Sequence, residues 1–333
     1  MYKAQNSLLW SFDFNNRFSY RTISAEVVAG ANFLDERTLP ANSVDIEFQA
    51  LDVGVESCVQ QSAQRYIFHT AFCGSTLLCR ALTNQPKVMV LKEPEVLLQI
   101  ARRQIDEGSA AMRPFLSHAI QELSTPWVDD GVTIIKPTNS VNRLLEDIQS
   151  VRPGKALLMY SNMEDFILSC CKKLPEAETR IRWMAQFLIH DSDLGKKLGV
   201  DKNQPFNFLE ACILTWYAQM EYYSKAIAVS GGGQIAFLAM EDLLADSHGC
   251  VLAASDFLEL NLSRRDLSEK IKTTFTKNSK SVHADYSPQR RKTEKAELKK
   301  RFSSLLNLAI NWENEVIRPI ATVPNFSECY SII

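Results

Sequence analysis

The chain predicts an α/β fold, with short buried strands alternating with helices, and three observations carry that expectation. Five short apolar runs, at 65–69, 88–91, 132–136, 155–160 and 235–240, are flanked by turn or helix signals, as buried parallel strands are. Segments of helical periodicity separate them. The first run, Tyr66 to Phe68, stops at a small-residue loop, Gly74-Ser75-Thr76, after which Leu77, Leu78, Ala81 and Leu82 recur at helical spacing.

Taken in order, residues 1–60 alternate weakly at Ile23 to Val28 and Val44 to Phe48, broken by Pro40 and by Asp/Asn clusters. They read as an N-terminal extension of short strands and turns, with 61–333 as one α/β domain. Helices are expected at 76–84, 95–106, 111–123, 140–149 and 163–173, between the strands. Residues 175–230 read as a helical insertion. Its last helix, Phe206 to Val229, carries Trp216, Tyr217, Tyr222 and Tyr223 as packing residues and stops at Gly231-Gly232-Gly233. Residues 241–276 are expected helical, 277–292 an exposed basic loop, and 294–318 a final amphipathic helix.

The 333 residues are 46% hydrophobic and 23% charged, with a formal net charge of −2, so no global basic excess points to nucleic acid as a partner. No apolar run approaches the ~20 residues that cross a bilayer, and the first residues lack a signal-peptide core. The eight cysteines (58, 73, 79, 170, 171, 212, 250, 329) are dispersed without metal-ligand spacing and read as reduced thiols of a cytoplasmic protein.

A strand, a small-residue loop and a helix aim several backbone N–H groups at one point, where the helix dipole adds positive potential. That arrangement suits a phosphate or sulfate. It is not the nucleotide-triphosphatase loop, because His69 stands where the first Gly belongs and Ser75 where the Lys belongs.

Three segments in register resemble the P-loop sulfotransferase family, whose donor is 3′-phosphoadenosine 5′-phosphosulfate (PAPS). The first is His69-Thr70-Ala71-Phe72-Cys73-Gly74-Ser75-Thr76-Leu77-Leu78, similar to the family's 5′-phosphosulfate loop. The second is Leu157 to Ser161 followed by Asp165 to Ser169, similar to its 3′-phosphate site. The third is Ala239 to Asp246 with Asp256 to Leu260, similar to its Tyr-Glu-Asp-Leu segment and the Phe-Leu-Gly-Leu that follows. Together they span roughly residues 65–290.

The resemblance implies a central parallel sheet with helices on both faces and the ligand at the C-terminal strand ends. It implies sulfuryl transfer from PAPS to a hydroxyl or amine, with Phe72, Cys73, Gly74, Ser75 and Thr76 around the 5′-phosphosulfate. Ser161 and Ser169 would then hold the 3′-phosphate under a basic lid of Lys277, Lys280, His283, Arg290 and Arg291. Two positions depart from the family: Phe72 replaces the loop cation and Ser161 the 3′-phosphate arginine. Lys92, ending the second strand, is expected beside the loop as the replacement cation, with Lys136 on the third strand as the alternative.

Glu93 is the general-base candidate, against the plain reading of a Glu capping the next helix. His69 is a donor or acid candidate, or a structural hydrogen bonder behind the loop. Glu241-Asp242 read as acids at a helix N-terminus, and no metal is expected. The acceptor stays open among a small molecule, a glycan and a peptide. Two other readings remain: a degenerate member that binds a nucleotide without turnover, and a kinase-type phosphotransferase.

Overall fold

In the computed structural model, residues 7–37, 47–50, 63–201, 204–230, 233–275, 288–326 and 331–332 are described. The N-terminal part forms β1 (Ser7–Phe12), β2 (Arg17–Thr22), α1 (Ala25–Gly30) and β3 (Glu47–Ala50). The three strands pair antiparallel in the order β1-β2-β3. The expected strand over Ile23 to Val28 is instead α1. Ser24 takes an extended conformation and its Oγ accepts from the Val27 N–H, a helix start that overrides the strand preference of two valines. Of the other expected strand, 44–46 lie outside the described residues, and β3 begins at Glu47.

The main sheet follows the order of elements closely. It begins with β4 (Gln64–His69), α2 (Ser75–Leu82), β5 (Val88–Lys92), α3 (Glu95–Glu107), α4 (Ser109–Ser124) and β6 (Val132–Lys136). A 3₁₀ segment at Asn139–Leu144 leads into α5 (Leu145–Val151), then β7 (Gly154–Tyr160) and α6 (Met163–Cys171). The helical layer is α7 (Glu176–Ile189), α8 (Asp193–Leu198) and α9 (Phe208–Val229), and the last strand is β8 (Ile235–Ala239). After it come α10 (Met240–Ala245), α11 (Ser247–Phe257), α12 (Arg264–Phe275), α13 (Pro288–Arg301), α14 (Ser303–Trp312) and a π turn at Glu313–Ile317. The five strands are parallel, in the order β5-β6-β4-β7-β8.

Strand alternation divides the apolar side chains between the two faces. Tyr66, Phe68, Met89, Leu91, Ile135 and Leu158 pack with α3 to α7 and α9. Their neighbours Ile67, Val88, Val90, Ile134, Leu157 and Met159 pack with α2 and α10 to α12. Helices therefore cover both faces, and burying each such side chain contributes about 1.5–3 kcal/mol. The N-terminal sheet joins the first of these cores. Phe12 lies 4.8 Å from the Phe18 ring and 5.0 Å from Phe115 on α4, centroid to centroid.

The aromatic helix α9 starts at a capping box. Asn207 Oδ1 accepts from Glu210 N at 3.0 Å, and Glu210 Oε2 accepts from Asn207 N at 2.9 Å. Trp216, Tyr217, Tyr222 and Tyr223 are buried, as packing residues should be. Two C-terminal expectations change. Of the expected basic loop, 277–287 lie outside the described residues and 288–292 already belong to α13, which Pro288 opens. The expected helix over 294–318 breaks at Phe302, where φ is −107° and ψ 19°, and ends in the π turn. No helix of the described residues is long and apolar enough to cross a membrane.

Candidate functional site

Where β4 ends, the chain turns through three left-handed residues in four positions: Ala71 (φ 68°), Phe72 (φ 53°) and Gly74 (φ 77°). Successive residues of this kind curl the backbone so that N–H groups face inward, a concavity suited to an anion. Two of the three are not glycine, a cost of about 1–2 kcal/mol each that the surroundings must hold in place. The first N–H groups of α2, which lack intrahelical acceptors, add to the same concavity.

A buried amide network holds the loop from behind. Asn142 Nδ2 donates to the His69 carbonyl at 3.0 Å and to Gln219 Oε1 at 3.0 Å. Gln219 Nε2 donates to the Thr215 carbonyl at 3.0 Å and reaches the Thr70 carbonyl at 3.5 Å. Thr70 N–H donates to the Met159 carbonyl at 3.1 Å, which also accepts from the Tyr223 hydroxyl at 3.2 Å. Asn142 and Gln219 are fully buried, so each lost bond would leave an unpaired polar group.

The loop opens on a cavity of about 650 Å³, within the range of small-molecule sites. Glu93, another non-glycine in the left-handed region (φ 56°), also lines it. Its N–H donates to the Lys136 carbonyl at 2.6 Å, and its Oε1 accepts from Lys136 Nζ at 2.6 Å. Burial pushes the Glu93 pKa up, but Lys136, together with His69 and Arg180, outweighs it and holds the carboxyl below the usual range. His69 Nε2 lies 3.6 Å from the same oxygen. Burial, then Lys136, lowers the His69 pKa to about 3, so the ring is neutral at pH 7. Its Nδ1 accepts from Ala71 N–H at 3.1 Å, which assigns the ring proton to Nε2, facing Glu93.

His69, Phe72, Gly74, Ser75, Thr76, Glu93, Ser169 and Arg291 all line this one cavity. Other expected residues fall elsewhere. Cys73 is in the loop, but its side chain is fully buried in the second-face core, so only its backbone belongs to the site. Lys92 does not stand beside the loop, because β5 is the edge strand and β6 separates it from β4. Its Nζ donates to the Ala29 carbonyl at 2.8 Å, and burial lowers its pKa to about 8. The strand next to the loop carries Lys136.

Ser161 is fully buried away from the cavity; its carbonyl accepts from Trp216 Nε1 at 2.8 Å and its hydroxyl has no partner. Lys277, Lys280 and His283 lie outside the described residues, as does the Arg290 side chain. Glu241 lies in the first turn of α10 and accepts from Asn162 Nδ2 at 2.6 Å.

Sequence reasoning missed the cations that line the cavity from α6, α7 and α13. Lys173 Nζ sits 4.7 Å above the Phe72 ring. Lys172 pairs with Glu294, and Lys295 Nζ pairs with Asp165 Oδ1 at 2.5 Å. Arg180 lines the cavity from α7. The available signal was the Lys172-Lys173 pair one turn beyond Ser169, at the open end of a helix already assigned to the site.

No protein-family model matches the chain, and no curated protein matches it. Among solved structures, a sulfotransferase from Alicyclobacillus acidocaldarius is similar at 12% identity and a TM-score of 0.41, covering 77% of this chain and 96% of that one. A sulfotransferase from Mycobacterium tuberculosis is similar at 13% identity and 0.40, covering 73% and 78%. A sulfotransferase domain from the curacin biosynthetic pathway is similar at 12% identity and 0.40, covering 73% and 99%. Likeness at this level assigns no activity.

Proposed function

We propose that the chain is a sulfotransferase that moves a sulfuryl group from PAPS to a hydroxyl or amine. The observation that supports this best is one cavity that joins an anion-cradling loop, a carboxylate and several cations. The inward N–H groups of 72–76 and the hydroxyls of Ser75 and Thr76 suit the 5′-phosphosulfate. Ser169, Lys172, Arg291 and Lys295 suit the 3′-phosphate, in place of Ser161.

Phe72 occupies the position where the resemblance expects a cation, yet it carries one on its face. Lys173, held over the ring, supplies positive charge at the cavity wall, where it would offset the negative charge that develops on the leaving phosphate. Phe72 is itself fixed against Phe166 on α6, with ring centroids 5.8 Å apart.

In the transfer, the acceptor oxygen or nitrogen forms its bond to sulfur as the bond between sulfur and the bridging oxygen breaks. The bond's electron pair leaves with adenosine 3′,5′-bisphosphate, and the acceptor proton passes to Glu93. Lys136 keeps Glu93 ionised and so ready to accept. A carboxylate this weakly basic takes the proton late, when sulfur has already acidified the acceptor. His69, with its proton on Nε2, faces the same oxygen at 3.6 Å, beyond hydrogen-bond distance. All six described cysteines are free buried thiols, which accords with the cytoplasm.

The test is label transfer from PAPS radiolabelled in sulfur to a panel of hydroxyl and amine compounds. Transfer that Glu93→Gln reduces at least about a hundredfold supports the proposal. Tight binding of the bisphosphate with no transfer to any member would favour a non-catalytic binder instead.

A further inference from the structure

The N-terminal segment reaches the site and builds one wall of it. Leu34 N–H donates to the Lys92 carbonyl at 2.8 Å, and the Leu34 carbonyl accepts from Glu95 N–H at 3.3 Å. Leu34 is itself buried, so residues on either side of Glu93 and Pro94 clamp the segment to the mouth of the cavity. The clamp sets Phe33, half-buried, into the cavity wall. The Arg37 guanidinium covers the outer side of its ring at 4.4 Å and is held by Asp35.

One face of α7 borders the same space. Ala177, Arg180, Ile181 and Met184 recur at helical spacing and all line the cavity. Ile181 and Met184 are buried, whereas Arg180 projects from the rim. Of the other rim cations, all given above to the donor, Lys172 pairs with Glu294, Lys295 pairs with Asp165, Lys173 lies over the Phe72 face, and Arg291 Nη2 reaches Met240 Sδ at 2.9 Å. Among the described residues no ion pair holds Arg180, not even with Glu176 one turn before it. Arg180 lines the same cavity as Glu93 and His69.

We propose that Phe33, Ile181, Met184 and Arg180 form an acceptor subsite beside Glu93 for a hydroxyl compound with an apolar, ring-sized body and a carboxylate tail. The hydroxyl meets Glu93, the body lies between Phe33 and the α7 face, and the tail pairs with Arg180. An arginine is suited to that role, since its planar fork holds a carboxylate through two parallel hydrogen bonds. A neutral analogue of the same shape leaves the guanidinium without its partner and binds more weakly. This subsite rests on the role given above to Glu93. Arg180 thus sets specificity, and Phe33 makes the N-terminal segment part of the site.

The test is calorimetric titration of the full chain with para-hydroxyphenylpropionate and with para-propylphenol, which share a body and differ in charge. Each is titrated with and without saturating adenosine 3′,5′-bisphosphate, whose own binding is measured first. The wild type is expected to prefer the acid at least about tenfold. Arg180→Gln removes that preference and leaves bisphosphate affinity within about twofold, while Phe33→Ala weakens both phenols. Equal binding of the two phenols by the wild type overturns the subsite. So does an Arg180→Gln variant that loses bisphosphate rather than acid, since the arginine then serves the donor. Acid preference without bisphosphate binding would keep the subsite and remove the donor reading; bisphosphate binding without acid preference would do the reverse.

Discussion

Replacing Lys136 by methionine strips the Glu93 carboxylate of its ammonium while keeping the shape of the side chain. Both partners are enclosed, Lys136 at 1% exposure and Glu93 at 10%, and their atoms are 2.6 Å apart. Burial pushes the Glu93 pKa up against Lys136, His69 and Arg180, so without Lys136 the folded variant shifts toward a protonated carboxyl; in the limit it takes up one whole proton that the wild type does not, on Glu93 or shared with His69. At pH 7, about 2.7 units above the ordinary glutamate pKa, that proton costs about 3.7 kcal/mol. The figure falls within the roughly 3–5 kcal/mol typical of breaking a buried pair from one side.

The sign of the pH dependence follows. The depressed Glu93 of the wild type contributes stability present above the unfolded pKa and lost only as pH falls through the lower folded one. The folded variant carries one proton more, so its deficit shrinks by about 1.4 kcal/mol per pH unit and reaches about 1 kcal/mol at pH 5. Urea denaturation followed by circular dichroism at pH 7 and pH 5 measures both. A loss below about 1 kcal/mol at pH 7, or a loss that stays the same at pH 5, would refute the electrostatic role of Lys136. The double variant Glu93→Gln/Lys136→Met should recover most of the deficit, because no buried charge is then left over.

Three further outcomes are expected. His69 has its pKa lowered by burial and Lys136 to about 3, so its contribution is full above pH 6.5 and lost as pH falls. Urea titrations of the wild type should show about 2 kcal/mol lost from this group between pH 6.5 and pH 5, a slope that His69→Gln flattens. Gly74→Val places a side chain at φ +77° with its Cβ 3.1 Å from Leu243 Cδ2, which costs roughly 1–2 kcal/mol. In calorimetry it should weaken bisphosphate binding at least about tenfold, whereas Lys92→Met, away from the cavity, should leave it unchanged. Gly154→Ala puts a Cβ 2.4 Å from the Gln64 carbonyl oxygen, so β7 must move off β4, and thermal unfolding should report a loss of about 3 kcal/mol.

The five parallel strands and the loop at Gly74-Ser75-Thr76 were legible because their signals are local: short apolar runs, a glycine, then helical spacing. The reach of Lys92 was not, because it depends on strand order. Consecutive strands in sequence suggested that β5 flanks β4, while the sheet inserts β6 between them and gives the adjacent place to Lys136. Periodicity also misled at Ile23 to Val28, where the Ser24 cap decides for helix over the preference of its valines.

The cavity's cations were hidden for a similar reason. Lys173 reaches the loop only because Phe72 packs on Phe166, and Arg180 only because α7 lies across the first face. The amides of Asn142 and Gln219, 77 residues apart, carry no sequence signature at all. Their role appears once α9 and the 3₁₀ segment meet behind the loop.

The most direct measurement is calorimetric titration of the purified chain with adenosine 3′,5′-bisphosphate, with magnesium–ATP as comparison. Micromolar binding of the bisphosphate is predicted, weakened at least about tenfold in Gly74→Val and about tenfold in Lys173→Met, with no comparable binding of magnesium–ATP. No binding of the bisphosphate, or binding of magnesium–ATP in its place, would contradict the assignment of this cavity to a PAPS-type donor.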